Sequence, residues 1–246
     1  MREFINTIKL ELSKQIFKNQ SSLRANLIDF FHSFSLEKNF EIIKGHIQIG
    51  NAKFDEKKAT FRGDSSPTKH LISKSYNENH IPEYLIKIIK DNKNLIERFL
   101  GKNFITDKAQ FFRNYNIPDY LESHDIYSNV WHNDSAHGPK LLKIFVLLRD
   151  TNIDDGPFHF LDRKSTIKNW DRLRHRWSFE NLREVKKYKE EQVLTGKKGN
   201  YIIISTSICM HRASIPKKSR DMVQLTIYPK WAKRYHPGYD YLSTPV

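Results

Sequence analysis

From Phe104 onward the chain is written as short runs of β-branched and aromatic residues separated by turn residues. Phe104 to Tyr115, Val130 to Asp134, Lys140 to Leu148, Phe158 to Leu161, Tyr201 to Ser207 and Met222 to Tyr228 each read as a strand. Asp155-Gly156-Pro157 and Pro216-Lys217-Lys218-Ser219 are the clearest turns between them. Many short strands punctuated in this way point to a barrel or jelly roll. Ile167 to Val193, rich in Arg and Lys, reads instead as a helix inserted between two of the strands.

The first hundred residues have another character. Phe4, Ile5, Ile8, Leu12 and Ile16 follow helical spacing, as do Leu23, Leu27, Phe30, Phe31 and Phe34. Phe40 to Ile49 is β-like, and Asp64-Ser65-Ser66-Pro67 reads as loop. Pro82 then opens a helical segment with Leu85, Ile88, Ile89, Leu95, Ile96 and Leu100, closed by Gly101. No repeat and no Pro/Gly/Ser-rich linker divides the 246 residues. The expected architecture is one mainly β domain with flanking helices. Residues 1–101 would form a mainly helical support layer, 102–230 the jelly-roll core with a helical insertion at 167–193, and 231–246 a C-terminal tail.

Charge and cysteine usage narrow the function classes. Lys and Arg number 42 against 28 Asp and Glu, a net of +14, with 23 basic against 20 acidic residues in 1–161 and 19 against 8 in 162–246. A basic carboxy-terminal third suits an anionic partner or a solvated lysine-rich surface. The basic residues are lysine-dominated and not interleaved with aromatics as a stacking platform, which argues against nucleic acid. One cysteine, Cys209, excludes an internal disulfide and a cysteine-built zinc site. It fits a reducing compartment. Ile144 to Leu148 is among the longest purely apolar runs, far short of a membrane span. The amino terminus, with Arg2, Glu3, Lys9 and Glu11, has no signal-peptide core. A cytoplasmic globular protein is the expectation.

The candidate chemistry centres on Trp131-His132-Asn133-Asp134. Residues two apart on a strand share a face, so His132 and Asp134 can bind one metal ion. A third ligand must come from elsewhere, and His211 in Cys209-Met210-His211-Arg212-Ala213-Ser214 is the candidate. Two imidazoles and a carboxylate on one face of an ion leave further positions open, the arrangement of non-haem Fe(II) oxygenases. A His-x-Asp pair by itself is a weak signal. Arg220 strengthens it, nine residues beyond His211 across the Pro216–Ser219 turn. A hairpin there would set Arg220 on the strand beside His211, where its guanidinium could grip a carboxylate bidentately.

At these residues the chain resembles the phytanoyl-CoA dioxygenase family of Fe(II)/2-oxoglutarate-dependent oxygenases. The likeness runs over about residues 82–230 and is carried by ordered motifs. They are Arg98-Phe99-Leu100-Gly101, Phe112-Arg113-Asn114-Tyr115, Trp131 to Asp134, Asp155-Gly156-Pro157-Phe158, and His211-Arg212-Ala213-Ser214 through Arg220. Asp162-Arg163-Lys164-Ser165 departs from the Gly-Ser-His often found there in relatives. The resemblance implies a double-stranded β-helix of about eight strands, with Fe(II) on His132, Asp134 and His211. It also implies 2-oxoglutarate and O2 as co-substrates. Arg220 would anchor the co-substrate, with Lys143 as its rival and Gln110 and Asn114 as pocket amides, while Ser214 would assist Arg220. A carboxylate ligand at Asp134 implies hydroxylation rather than halogenation.

The activity implied is hydroxylation of an unactivated C–H bond of a small polar or anionic metabolite, releasing succinate and CO2. One alternative is the same fold acting on nucleic acid or protein, and another a non-enzymatic basic binding module with a cupin-like core. Arg172, Arg174, Arg176 and Arg183, with Trp170, Trp177 and Phe179, would let the insertion cover the pocket mouth. Substrate identity resides in such loops, which vary with chemistry rather than fold. The sequence therefore leaves it open, with the oligomeric state.

Overall fold

The computed structural model describes residues 40, 42–61, 73–116, 129, 131–134, 140–173, 188–230 and 242–243. Helix α1 (Glu83–Asp91) buries Leu85, Ile88 and Ile89, and helix α2 (Lys93–Leu100) buries Ile96, Phe99 and Leu100. Both triplets have the spacing that gathers apolar residues on one helical face. Pro82 precedes α1, where a missing N–H costs nothing. Asn92 separates the two helices and its Nδ2 donates to the Ile88 carbonyl at 2.8 Å. Gly101 ends α2 with a φ of 89°, a value that favours glycine.

These helices cover one face of a large antiparallel sheet, nine-stranded among the described residues. Its path runs β1 (Ile43–His46), β9 (Asn200–Ile204), β6 (Leu142–Leu147), β11 (Ser219–Tyr228), β5 (Ala109–Tyr115), β3 (Ser73–Glu78) and β2 (Thr60–Phe61). β4 (Ile105–Thr106) pairs with β11 and with β12 (Leu242–Ser243). A second antiparallel sheet has the order β10 (His211–Ala213), β7 (Phe158–Phe160), β8 (Gln192–Leu194). An isolated antiparallel bridge from His132 to His211 extends it beyond β10.

Following the chain, β5 lies in the large sheet, His132 in the small one and β6 in the large. β7 and β8 then lie in the small sheet, β9 in the large, β10 in the small and β11 in the large. Strands that alternate between two facing antiparallel sheets in this order form a double-stranded β-helix, the jelly roll expected from the sequence.

Strand alternation sorts the side chains into two cores. Leu142, Ile144 and Val146 of β6, with Val223, Leu225 and Ile227 of β11, pack toward the helices. Phe145 and Leu147 of β6, Phe112 of β5 and Met222 of β11 point into the space between the sheets, where they meet Phe158, Phe160, Leu194 and Cys209. Each fully buried Leu, Ile or Phe stabilises the fold by about 1.5–3 kcal/mol. Period-two alternation therefore places Lys143, between Leu142 and Ile144, on the interior face.

The described part of the amino-terminal region adds strands β1, β2 and β3 to the sheet beside helices α1 and α2. Three sequence expectations need correction. Helix α3 (Arg163–Leu173) starts before Ile167, and Gln192–Leu194 is strand β8, paired with β7. Where Val130 to Asp134 is expected as a strand, the described residues 131–134 carry a single bridge at His132. His211 and Arg220 are not on neighbouring hairpin strands. β10 pairs with β7 and β11 with β5 and β6, so the Pro216 turn carries the chain from one sheet to the other. Residues 231–241, much of the expected tail, and the helices read before Phe40 lie outside the described residues. β12, however, brings 242–243 back onto β4. No helix among the described residues is long and apolar enough to cross a membrane.

Candidate metal centre

His132 and His211 are locked side by side through their backbones. The His132 N–H donates to the His211 carbonyl at 3.0 Å, and the His211 N–H to the His132 carbonyl at 2.9 Å. Two residues on, the Asp134 N–H donates to the Thr206 carbonyl at 2.8 Å, and its carboxylate lies beside both imidazoles. The imidazole centroids are 4.3 Å apart. His132 Nε2 lies 3.9 Å from Asp134 Oδ1, and His211 Nε2 lies 3.5 Å from Asp134 Oδ2. All three side chains are buried.

The donor set fits a divalent ion. One ligand atom from each residue lies within 4.8 Å of the others, and bonds of about 2.0–2.2 Å suit imidazole and carboxylate donors. His211 Nδ1 sits 3.0 Å from the Cys209 carbonyl and donates to it, leaving the Nε2 lone pair for a metal. Two nitrogens and one carboxylate from one side leave coordination positions for other ligands, the pattern of Fe(II) oxygenase sites.

Lys143 enters this centre from β6. Its Nζ is 2.8 Å from Asp134 Oδ2, with 15% of its side chain exposed against 9% for Asp134. The structure thus places Lys143 on the candidate metal carboxylate itself.

A second polar spot lies between the sheets. Arg220 on β11 is 2% exposed and faces Asn114 of β5 across the ladder. Its Nη1 donates to the Gly156 carbonyl. Its Nε and the Asn114 Oδ1 are buried and have no hydrogen-bond partner among the described residues. Burial draws the Arg220 pKa down to about 10, which leaves the guanidinium charged at neutral pH. A buried cation with an unused donor suits an acid group. Gln110 lies on the same face of β5, two residues from Phe112 and opposite Gln224 of β11.

One short segment joins the two spots. Gly156 holds Arg220, and two residues later the Phe158 ring lies 5.4 Å from that of His211 and 4.5 Å from that of Phe145.

Ser214 does not join Arg220. It lies on the outer side of the small sheet, where its Oγ is 2.8 Å from His159 Nε2 and 3.1 Å from the Pro157 carbonyl. The other ring nitrogen of His159 bonds Glu191, which also accepts from Arg212 Nη2 at 3.2 Å. The Arg212 guanidinium stacks 5.4 Å from the Trp131 ring. Burial by itself raises Glu191, but the hydrogen bond from His159 and the charge of Arg212 outweigh it and hold the carboxyl below its ordinary value. Burial, aided by Arg212, pulls His159 down against the opposing pull of Glu191.

His159 lies between two phenylalanines of β7 and belongs to none of the sequence motifs. The available signal was alternation, since Phe158-His159-Phe160 and His211-Arg212-Ala213 each set the middle residue on the opposite face. Arg174, Arg176, Arg183, Trp177 and Phe179 of the expected pocket cover lie outside the described residues, as do the side chains of Trp170 and Arg172.

Neither a family model nor a curated protein matches the sequence. Solved structures with a similar arrangement include the non-haem α-ketoglutarate-dependent carbocyclase SnoK from nogalamycin biosynthesis. It has a TM-score of 0.45 at 10% identity, over 70% of this chain and 68% of that one. HygX from Streptomyces hygroscopicus, with nickel, 2-oxoglutarate and hygromycin B bound, gives 0.41 at 12% identity over 77% and 82%. EvdO2 from Micromonospora carbonacea var. aurantiaca, complexed with 2-oxoglutarate, gives 0.37 at 14% identity over 59% and 63%. The fold assignment rests on the strand order and register of this chain.

Proposed function

We propose that this protein is an Fe(II)/2-oxoglutarate-dependent dioxygenase that hydroxylates an unactivated C–H bond of a small polar or anionic metabolite. The observation that carries the reading is the pairing of two buried polar spots between the sheets. One is the His132, Asp134, His211 set, and the other is Arg220 with its unused Nε beside Asn114. The order of the motifs, from His132-x-Asp134 through Gly156-Pro157 to His211 and Arg220, supports a place beside the phytanoyl-CoA dioxygenases.

Fe(II) bound at this centre would supply activation of O2 coupled to oxidative decarboxylation of 2-oxoglutarate to succinate and CO2. The chain's own residues do the rest. His132, Asp134 and His211 hold the metal from one side and leave room for co-substrate. Arg220 binds the distal carboxylate through its charged fork, and Asn114 adds an amide beside it. Phe112, Phe145 and Phe158 keep the interior apolar, which strengthens those polar contacts and excludes side reactions with water. The basic carboxy-terminal third, 19 basic residues against 8 acidic, supports an anionic substrate.

The test is 2-oxoglutarate turnover. Metal-reconstituted protein is expected to release succinate from 2-oxoglutarate, and His132→Ala is expected to lose both metal uptake and succinate release while keeping its circular dichroism. Succinate release by His132→Ala at the wild-type rate would reject the centre. A wild-type protein that takes up no metal and consumes no 2-oxoglutarate would favour the binding-module alternative.

A further inference from the structure

We infer that Lys143 is the resident counter-cation of the metal carboxylate. Its ammonium neutralises Asp134 while the centre holds no metal, and an incoming ion must draw Asp134 away from it or share the carboxylate with it. The inference deepens the proposed function and rests on it.

The geometry is specific. Lys143 interrupts the apolar run of β6 at a position whose neighbours on the same face, Phe145 and Leu147, are interior. A lysine in such a run usually snorkels to water. This one instead reaches Asp134 Oδ2 at 2.8 Å. Asp134 is held in place by its backbone bond to Thr206, so the carboxylate does not depend on Lys143 for its position. Lys143 sets a positive charge directly against it. A buried carboxylate without a cation is costly, and here that cation is already in the protein.

The consequence is a shift in what the centre attracts. With neutral imidazoles, His132, His211, Asp134 and Lys143 sum to zero, whereas the three ligands alone carry −1. A divalent ion is therefore drawn less strongly than by an ordinary two-histidine, one-carboxylate set. A dianionic acid arriving with the metal restores the missing negative charge, so metal and acid should favour each other's binding. Lys143 is on this account a positioning and charge-setting residue rather than a catalytic one.

The test is titration of Co(II) into metal-free wild type, Lys143→Met, Lys143→Gln and Lys143→Arg, together with thermal midpoints of the metal-free and loaded forms. Lys143→Met and Lys143→Gln are expected to bind Co(II) at least tenfold tighter than wild type. Their metal-free midpoints should fall and be recovered on loading. Lys143→Arg, which keeps the charge, should stay near wild type. A lysine that merely supported the fold would weaken both stability and metal binding when removed, so the opposite signs identify the role. Equal or weaker Co(II) binding by the folded neutral variants overturns the inference, and Lys143→Gln decides alone if Lys143→Met does not fold. Failure of the wild type to bind Co(II) would instead reject the proposed function.

Discussion

Arg220 and Asn114 are register partners across the ladder between β11 and β5, and each holds a buried polar atom with no hydrogen-bond partner among the described residues. Buried polar groups are nearly always satisfied in folded proteins. Two such atoms together on an interior face mark a place prepared for a polar ligand. One terminal nitrogen of Arg220 is already engaged by Gly156, which fixes the direction in which the rest of the guanidinium points.

Arg220→Ala should therefore raise the apparent 2-oxoglutarate requirement with little effect on metal affinity. Loss of a charge-assisted contact to a buried partner costs about 2–5 kcal/mol, roughly 30-fold to a few thousandfold in affinity. Arg220→Lys keeps the charge but not the planar fork, so it should fall between the two. The measurement is succinate release against 2-oxoglutarate concentration, with Co(II) affinity as the control. A Co(II) affinity that falls in step with the acid would place Arg220 in the metal centre instead.

Gly156 supplies the carbonyl that Arg220 binds, and its backbone has a φ of 68°. A Cβ added there would lie 2.4 Å from the Pro216 nitrogen and 2.7 Å from the Ser214 carbonyl oxygen, both backbone atoms. Gly156→Ala thus combines an unfavourable left-handed conformation with a collision that no rotamer relieves. The expected loss is about 1–3 kcal/mol. In a chain of this size that lowers Tm by several degrees, and the 2-oxoglutarate requirement should rise with it as the Arg220 anchor shifts. Both are read on the same purified variant, and an unchanged Tm would count against the tight packing at this turn.

The candidate metal ligands were legible because their signal is local. His132 and Asp134 are two apart, and the runs flanking His211 alternate as strands do. Phe145 and Leu147 could be assigned to one face of β6 for the same reason. Strand β3, Ser73-Lys74-Ser75-Tyr76-Asn77-Glu78, was not legible, since it carries few apolar residues and owes its conformation to pairing with β5 and β2. The crossing from β10 to β11 was misread as a hairpin because a turn between sheets uses the same Pro, Lys and Ser residues as a turn within one. Lys143 with Asp134, and His159 with Glu191 and Ser214, are partners only through tertiary packing, and no spacing rule joins them.

The network behind the small sheet makes stability depend on pH in a definite direction. His159 has a folded-state pKa below its ordinary 6.5, chiefly because burial disfavours the charged ring. The unfolded chain therefore binds a proton at a higher pH than the native one, and stability is lost as pH falls below about 6.5 toward the folded value. Glu191 acts in the same direction at lower pH. Burial opposes its ionisation, but His159 and Arg212 hold its folded pKa below 4.5, so its contribution is present above that value and lost as pH falls through the folded one. Urea unfolding from pH 8 to pH 5 should show a decline beginning near pH 6.5. His159→Gln, which has an amide and no titrating ring, should be less stable at pH 8 and flatter between pH 7 and 5. A variant that declines as steeply as wild type over that window would assign the acid sensitivity to groups other than His159.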